Sequence, residues 1–174
     1  MQQVRMVHLT CSVDTLKRGA DQSSVNHGAY IAGKCITDRT AGKVFDWSQR
    51  PEGDVLHTFL VMPDAARDAY PDADRFLNAI ERQAPRSDSW VGRHWKIALP
   101  HDLDAWRKTA IVREFAGFLA KRFGVGSFCA RHSAGKGDAR NDHGHLISSP
   151  CQVTPDGMGD RVVELDKATT SARR

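Results

Sequence analysis

The sequence has no CxxC pair: its four cysteines, Cys11, Cys35, Cys129 and Cys151, stand far apart. That spacing excludes a zinc knuckle and a thioredoxin-type redox site, and it argues against a disulfide framework. The four read as ordinary thiols in a reducing compartment. No stretch approaches the roughly 18 consecutive apolar residues of a membrane helix, and no apolar run follows Arg5 as in a signal peptide, so a soluble intracellular protein without a membrane partner is expected. Internal repeats are absent. Tyrosine is scarce, with only Tyr30 and Tyr70. The 174 residues suffice for one domain with a sizeable core and are too few for two ordinary ones. Charge of one sign is also in short supply, since the formal net charge is only +4. That excess permits a nucleic-acid partner without proving one. Its distribution is uneven: Arg107, Lys108, Arg113, Lys121, Arg122 and Arg131 face the single acid Glu114 between residues 105 and 131. This run reads either as a phosphate-facing surface or as a solvated helix face.

What is present is a mixture of strand and helix patterns. Val4–Val13 alternates loosely and reads as a strand, followed by polar punctuation through Lys17-Arg18-Gly19. Ser23 or Ser24 caps a predicted helix that carries Tyr30, runs to about Ala32 and ends at Gly33. Thr37–Gly53 is polar and glycine-punctuated, and predicts short extended pieces and turns. Val55–Met62 predicts a strand stopped by Pro63, Asp74–Gln83 a helix, and Trp95–Leu99 a short strand stopped by Pro100. The longest helix is predicted over Asp104–Phe123, with Trp106, Ile111, Phe115, Phe118 and Leu119 at helical spacing. Ser127–His132 and His143–Ser149 predict a hairpin across a polar, glycine-rich loop. The segment from Gln152 onward is rich in Gly, Asp and Lys and reads as a poorly anchored tail. Interspersed helices and a closing hairpin favour an α+β fold, an antiparallel sheet covered by helices. The domain division expected is residues 1–151 as the folded unit and 152–174 as the tail.

The chemistry gathers in two places. On a strand, residues two apart point the same way, so His143 and His145 project side by side, and a hairpin brings His132 opposite them. Three imidazoles on one face make a divalent-metal site with positions left open for substrate. The competing reading is a set of partly satisfied histidines beside a loop. Tyr30 sits among the small residues Gly28, Ala29, Ala32 and Gly33, which would leave its hydroxyl accessible. By itself a lone helical tyrosine reads first as a core or rim residue.

Matches in one order along nearly the whole chain carry a resemblance. They are His8-Leu9-Thr10, Gln22-Ser23-Ser24-Val25 with Ala29-Tyr30, and Thr37-Asp38-Arg39-Thr40-Ala41-Gly42-Lys43-Val44 with Asp46-Trp47-Ser48. Val55-Leu56-His57, Met62-Pro63, Ile97-Ala98-Leu99-Pro100, Val112-Arg113-Glu114-Phe115-Ala116 and Asn141-Asp142-His143-Gly144-His145-Leu146 continue the series. The chain resembles the MobA/MobL family of conjugative relaxases, a branch of the HUH single-strand endonucleases. The resemblance implies a five-stranded antiparallel sheet with flanking helices. It also implies Tyr30 as nucleophile, His132, His143 and His145 as metal ligands, and a divalent metal, with Mn or Mg first and Zn as the alternative. The implied reaction is nicking of single-stranded DNA at an origin of transfer by transesterification to the tyrosine, in the bacterial cytoplasm. Accessory relaxosome proteins and a coupling protein are the implied partners.

Three departures stand out. The family usually places a glutamate near the metal on the strand ending in Ala-Leu-Pro, where this sequence has His94; it is read as a further ligand or as a loss. Asp142 replaces the usual proline before the histidine pair and reads as an orienting group. Relatives continue beyond Lys167 with a tryptophan-bearing segment and often helicase or primase domains, so the chain reads as truncated or naturally short. Lys34, Arg39, Lys43 and Arg131 are the candidate phosphate contacts, although each taken alone reads first as a solvated surface charge. Trp47 reads as a base-stacking platform or as a cap over the core. Two alternatives stay open beside the relaxase: a non-catalytic DNA-binding remnant or accessory protein of the same fold, and a three-histidine metal hydrolase that uses water.

Overall fold

A computed structural model describes residues 10–19, 22–84, 86–133 and 142–166. In chain order its elements are β1 (Cys11–Lys17), α1 (Ser24–Ala32), β2 (Cys35–Asp38), β3 (Lys43–Asp46), β4 (Val55–Val61), α2 (Ala73–Gln83), β5 (Trp90–Ala98), α3 (Ala105–Phe123), β6 (Val125–His132), β7 (His143–Thr154) and β8 (Gly157–Arg161). The main sheet is antiparallel, ordered β1-β5-β7-β6-β4, and β8 is added as a hairpin partner of β7. The expected five-stranded sheet is therefore present, with β8 extending it. β2 and β3 form a separate hairpin inside the polar stretch.

Alternation along the central strands divides the core into two layers. On one face Phe128, Ala130, Ile147 and Val91 pack against Val25 and Ala29 of α1 and Phe76, Leu77 and Ile80 of α2. On the other, Cys129, Leu146, Trp95 and Ile97 pack against Val112, Ala116 and Leu119 of α3. The histidines share the parity of Ala130 and Ile147, so they belong to the α1 face.

Local sequence explains the helix that matters most. Ser23 caps α1, its hydroxyl accepting from the Asn26 amide at 2.9 Å, and Gly33 ends it in the left-handed region at φ 59°. A buried carboxylate then fixes its position. Glu81 of α2 accepts from the Ser24 amide at 2.6 Å and from the Ser24 hydroxyl at 2.7 Å, while Arg18 at the end of β1 holds its other oxygen. Gly28 allows α1 to approach α2, since a Cβ there would lie 2.2 Å from Leu77 Cδ1.

Three expectations require correction. β1 runs Cys11–Lys17, further along than Val13, because Asp14, Thr15 and Leu16 continue the register with β5 and Lys17 of the expected punctuation still pairs with Trp90; residues 1–9, including His8 and Leu9, lie outside the described residues. On α3 the buried stripe is Val112, Ala116, Leu119 and Ala120, whereas Trp106 and Phe118 are 67% and 56% exposed. The small side chains let this helix approach the sheet closely, and the bulky aromatics are left outside. The segment after Gln152 is anchored as far as Asp166: Val162 and Leu165 are buried, and Arg93 of β5 donates to the Val162 carbonyl at 2.7 Å and pairs with Asp166 at 2.6 Å. Residues 167–174 lie outside the described residues. Among the described residues no helix is long and apolar enough to cross a membrane.

Candidate active site with a histidine metal centre

The β6–β7 hairpin places His132 directly opposite His143, with His145 two residues on, opposite Ala130. One nitrogen from each of the three lies within 4.8 Å of the others, close enough to converge on one ion. The loop joining these strands, residues 134–141, lies outside the described residues. His132 is tied from α1: its Nε2–H donates to the Ile31 carbonyl at 2.7 Å. That bond leaves Nδ1 as the lone-pair nitrogen, the arrangement a ligating histidine needs.

Burial lowers the pKa of four of the rings on this face. It pulls His145 down to about 2 and His94 down to about 3, with neighbouring positive groups adding to the effect. Burial also pushes His132 and His27 below the ordinary imidazole value. These four rings are therefore neutral at neutral pH, the form in which imidazole binds metal. Three converging imidazoles, one already oriented by a backbone carbonyl, fit a divalent ion.

Tyr30 stands on α1 above this face, 37% exposed. It shares a cleft of about 540 Å³ with His94, His145, His27, Lys96, Asp14 and Trp47. A larger cleft of about 780 Å³ around Trp90 holds none of the candidate catalytic residues, so volume does not mark the site. The small neighbours of Tyr30 do not open space around it as expected. Ala29 is fully buried in the α1 face of the core and Gly28 meets Leu77. Tyr30 is accessible because it lies on the outward side of the helix. Trp47 meets its ring edge-on with centroids 5.1 Å apart, and donates from its indole to Asn26 Oδ1 at 2.9 Å. Trp47 thus packs on the tyrosine helix and does not cap the core.

Arg50 completes the setting. Its guanidinium lies 4.3 Å from the Tyr30 ring centroid, donates to the Tyr30 carbonyl at 2.7 Å and pairs with Asp54 at 2.5 Å. A cation held over a ring face in this way restricts the ring as well as attracting it.

His94 lies one strand away on β5, outside the group of converging nitrogens. Its Nε2 is 2.8 Å from His145 Nδ1, and the two rings stack with centroids 5.0 Å apart. Asp142 pairs with the partly buried Lys108 of α3, so its carboxylate ties β7 to the helix on the opposite face. The four basic candidates do not line the cleft. Lys34 follows α1 and Lys43 is exposed on β3; Arg39 pairs with Asp74 at 2.9 Å. Arg131 is buried, and its parity with Cys129 turns it toward the α3 face. The basic run on α3 likewise packs behind the sheet, away from the tyrosine.

Sequence reasoning missed Lys96, His27, Asp14 and Arg50. Lys96 was legible as the same-face neighbour of His94 two residues along a strand, and His27 as the residue one turn before Tyr30. Asp14 needed the β1 register. Arg50 comes from irregular chain and carries no periodic signal.

The sequence model of the MobA/MobL family matches residues 22–173. A mobilization protein MobL of Acidithiobacillus ferridurans is 32% identical over 89% of this chain and 46% of its own length. A probable mobilization protein MobA of Bifidobacterium longum is 21% identical over 83% of the chain and 25% of its own length. A conjugal transfer protein TraA of Agrobacterium fabrum is 26% identical over 92% of the chain and 15% of its own length. The chain thus spans less than half the length of these curated relatives. A solved structure from work on the molecular basis of vancomycin resistance transfer in Staphylococcus aureus shares the fold, with a TM-score of 0.79 at 19% identity, covering 97% of this chain and 87% of that one.

Proposed function

The chain belongs to the MobA/MobL family, and from that premise we propose that it is a relaxase domain that nicks single-stranded DNA at an origin of transfer, with Tyr30 as nucleophile. The observation that carries the reading is that Tyr30 opens into the same cleft as His145, one member of the convergent histidine cluster.

In the proposed reaction the Tyr30 phenolic oxygen attacks a backbone phosphorus. The bond from phosphorus to the 3′ oxygen breaks, giving a 5′-phosphotyrosyl DNA and a free 3′-hydroxyl. The phenol gives up its proton and the departing oxygen gains one. Asp14 and His27 are the proton acceptors that line the cleft with Tyr30. A divalent ion held by His132, His143 and His145 would polarise the scissile phosphate as a Lewis acid. Arg50 restrains the tyrosine ring, and Lys96 adds positive charge to the cleft wall. The covalent bond conserves the phosphodiester, so the strand can be rejoined. Lys34 and Lys43 are proposed to contact the flanking DNA, and accessory relaxosome proteins and a coupling protein are proposed as partners in the bacterial cytoplasm.

The test is incubation with Mn2+, Mg2+ or Co2+ and 3′-labelled single-stranded DNA from the neighbouring genetic element, read on a denaturing gel. The expected result is label shifted onto protein, lost in Tyr30→Phe and in chelator. Cleavage that survives in Tyr30→Phe would instead assign the reaction to water. DNA binding without an adduct in Mn2+, Mg2+ or Co2+ would make the protein a non-catalytic remnant, a reading that the histidine in place of the family's usual glutamate favours.

A further inference from the structure

Two imidazole nitrogens 2.8 Å apart require one ring to donate and the other to accept. His94 Nε2 and His145 Nδ1 are joined in this way in a buried, stacked pair. With Nδ1 engaged by His94, His145 has only Nε2 to turn toward His132 and His143. His94 has spent its own Nε2 on that contact, and it stands outside the nitrogens that converge within 4.8 Å.

We propose that His94 is a positioning residue and not a ligand: it accepts the Nδ1–H of His145 and thereby fixes the nitrogen that His145 presents to the metal. The inference rests on reading the histidine cluster as a metal centre. Ligating histidines usually give their second N–H to a carboxylate, a carbonyl or water, and here a neutral imidazole takes that place. His132 is held by the same principle from the Ile31 carbonyl.

The consequence is a specificity. Among the described residues the converging set is three imidazoles with no carboxylate. Imidazole suits Co, Ni, Zn and other transition ions, whereas Mg2+ requires oxygen ligands in a near-ideal octahedron. The centre therefore selects nitrogen-preferring divalent ions over Mg2+, unlike one completed by the glutamate expected at this position.

The test uses Co2+ as the probe, titrated into the metal-free protein and its variants. Its absorption bands report coordination geometry, and X-ray absorption at the cobalt edge counts imidazoles. Expected are three imidazoles, Co2+ that stays bound under about a hundredfold excess of Mg2+, and an affinity loss of about 10- to 100-fold in His94→Ala. His94→Gln, whose amide oxygen can accept the same N–H, is expected to restore affinity to within a few-fold with an unchanged spectrum. Melting curves of the metal-free variants control for folding. A fourth imidazole that disappears in His94→Gln would make His94 a ligand and overturn the proposal. So would undiminished affinity in His94→Ala, or displacement of Co2+ by the Mg2+ excess. Absence of Co2+ binding, or binding indifferent to His132→Ala and His145→Ala, would overturn the metal centre itself and the inference with it.

Discussion

Gly144 shows how one residue serves two faces of the sheet. It separates His143 from His145, so its own side-chain direction is toward α3, where a Cβ would lie 2.5 Å from Val112 Cγ2. The histidine pair can stand on one face only because the residue between them leaves room on the other. Gly144→Ala is expected to overpack this contact at a cost of about 1–3 kcal/mol. Because the displaced strand carries two of the three clustered histidines, the affinity of the proposed metal centre should fall as well, while His143 and His145 themselves are unchanged. Denaturant unfolding together with Co2+ titration checks this; unchanged stability and affinity would show that Val112 yields without cost. The histidine pair was legible in the sequence because strand alternation is a period-2 rule that needs no tertiary information. The role of the intervening glycine was not, because it depends on a helix that packs from behind. His94 was flagged by its position, but only the pairing of β5 with β7 brings its ring into a stack on that of His145, diagonally across the two strands.

At the scale of elements, the tyrosine depends on where α1 is held. Both ends of α1 were readable, since a serine cap and a left-handed glycine are local signals. Its anchoring was not, because Glu81 lies 57 residues away from Ser24 and looks in sequence like an ordinary acid on a helix. In the fold it is buried and accepts from the first turn of α1 and from Arg18. Glu81→Ala leaves the Ser24 amide and the Arg18 guanidinium without this partner. Arg18 is partly exposed, which places the expected loss at the low end for a broken buried pair, about 3 kcal/mol. For a domain of this size that corresponds to a melting temperature lower by roughly 6–12 °C. The predicted signature is a coupled one: thermal stability and Tyr30 adduct formation both decline, whereas the surface change Arg67→Ala, at an exposed pair, alters neither. The α3 stripe was misread for a related reason. Periodicity ranks large apolar residues first, but close helix–sheet contact selects small ones, so Val112 and Ala116 went inside and Trp106 and Phe118 stayed out.

For the whole molecule, the open question is how far the folded unit extends. Composition set the boundary near residue 151, since Gly, Asp and Lys suggest a solvated tail. The hairpin β7–β8 instead returns the chain to the sheet, and two apolar residues three apart, Val162 and Leu165, close the α3-side core. Arg93 is fully buried in β5, and its charge is met by Asp166 together with the Ser149 and Val162 carbonyls. A chain ending at residue 161 would expose the surface that Val162 and Leu165 cover, about 1.5–3 kcal/mol for each side chain. It would also leave a buried guanidinium without its carboxylate, a further loss of about 3–5 kcal/mol. Together these approach the whole stability of an ordinary domain, about 5–15 kcal/mol. A chain ending at residue 166 keeps all three groups. The expected outcome is therefore a cooperative denaturant transition close to that of the full chain for the 166-residue form, and a severe loss of cooperativity or of soluble protein for the 161-residue form. Equal stability of the two would show that the ion pair and the two apolar contacts are dispensable, and would return the boundary of the folded unit to the end of the main sheet.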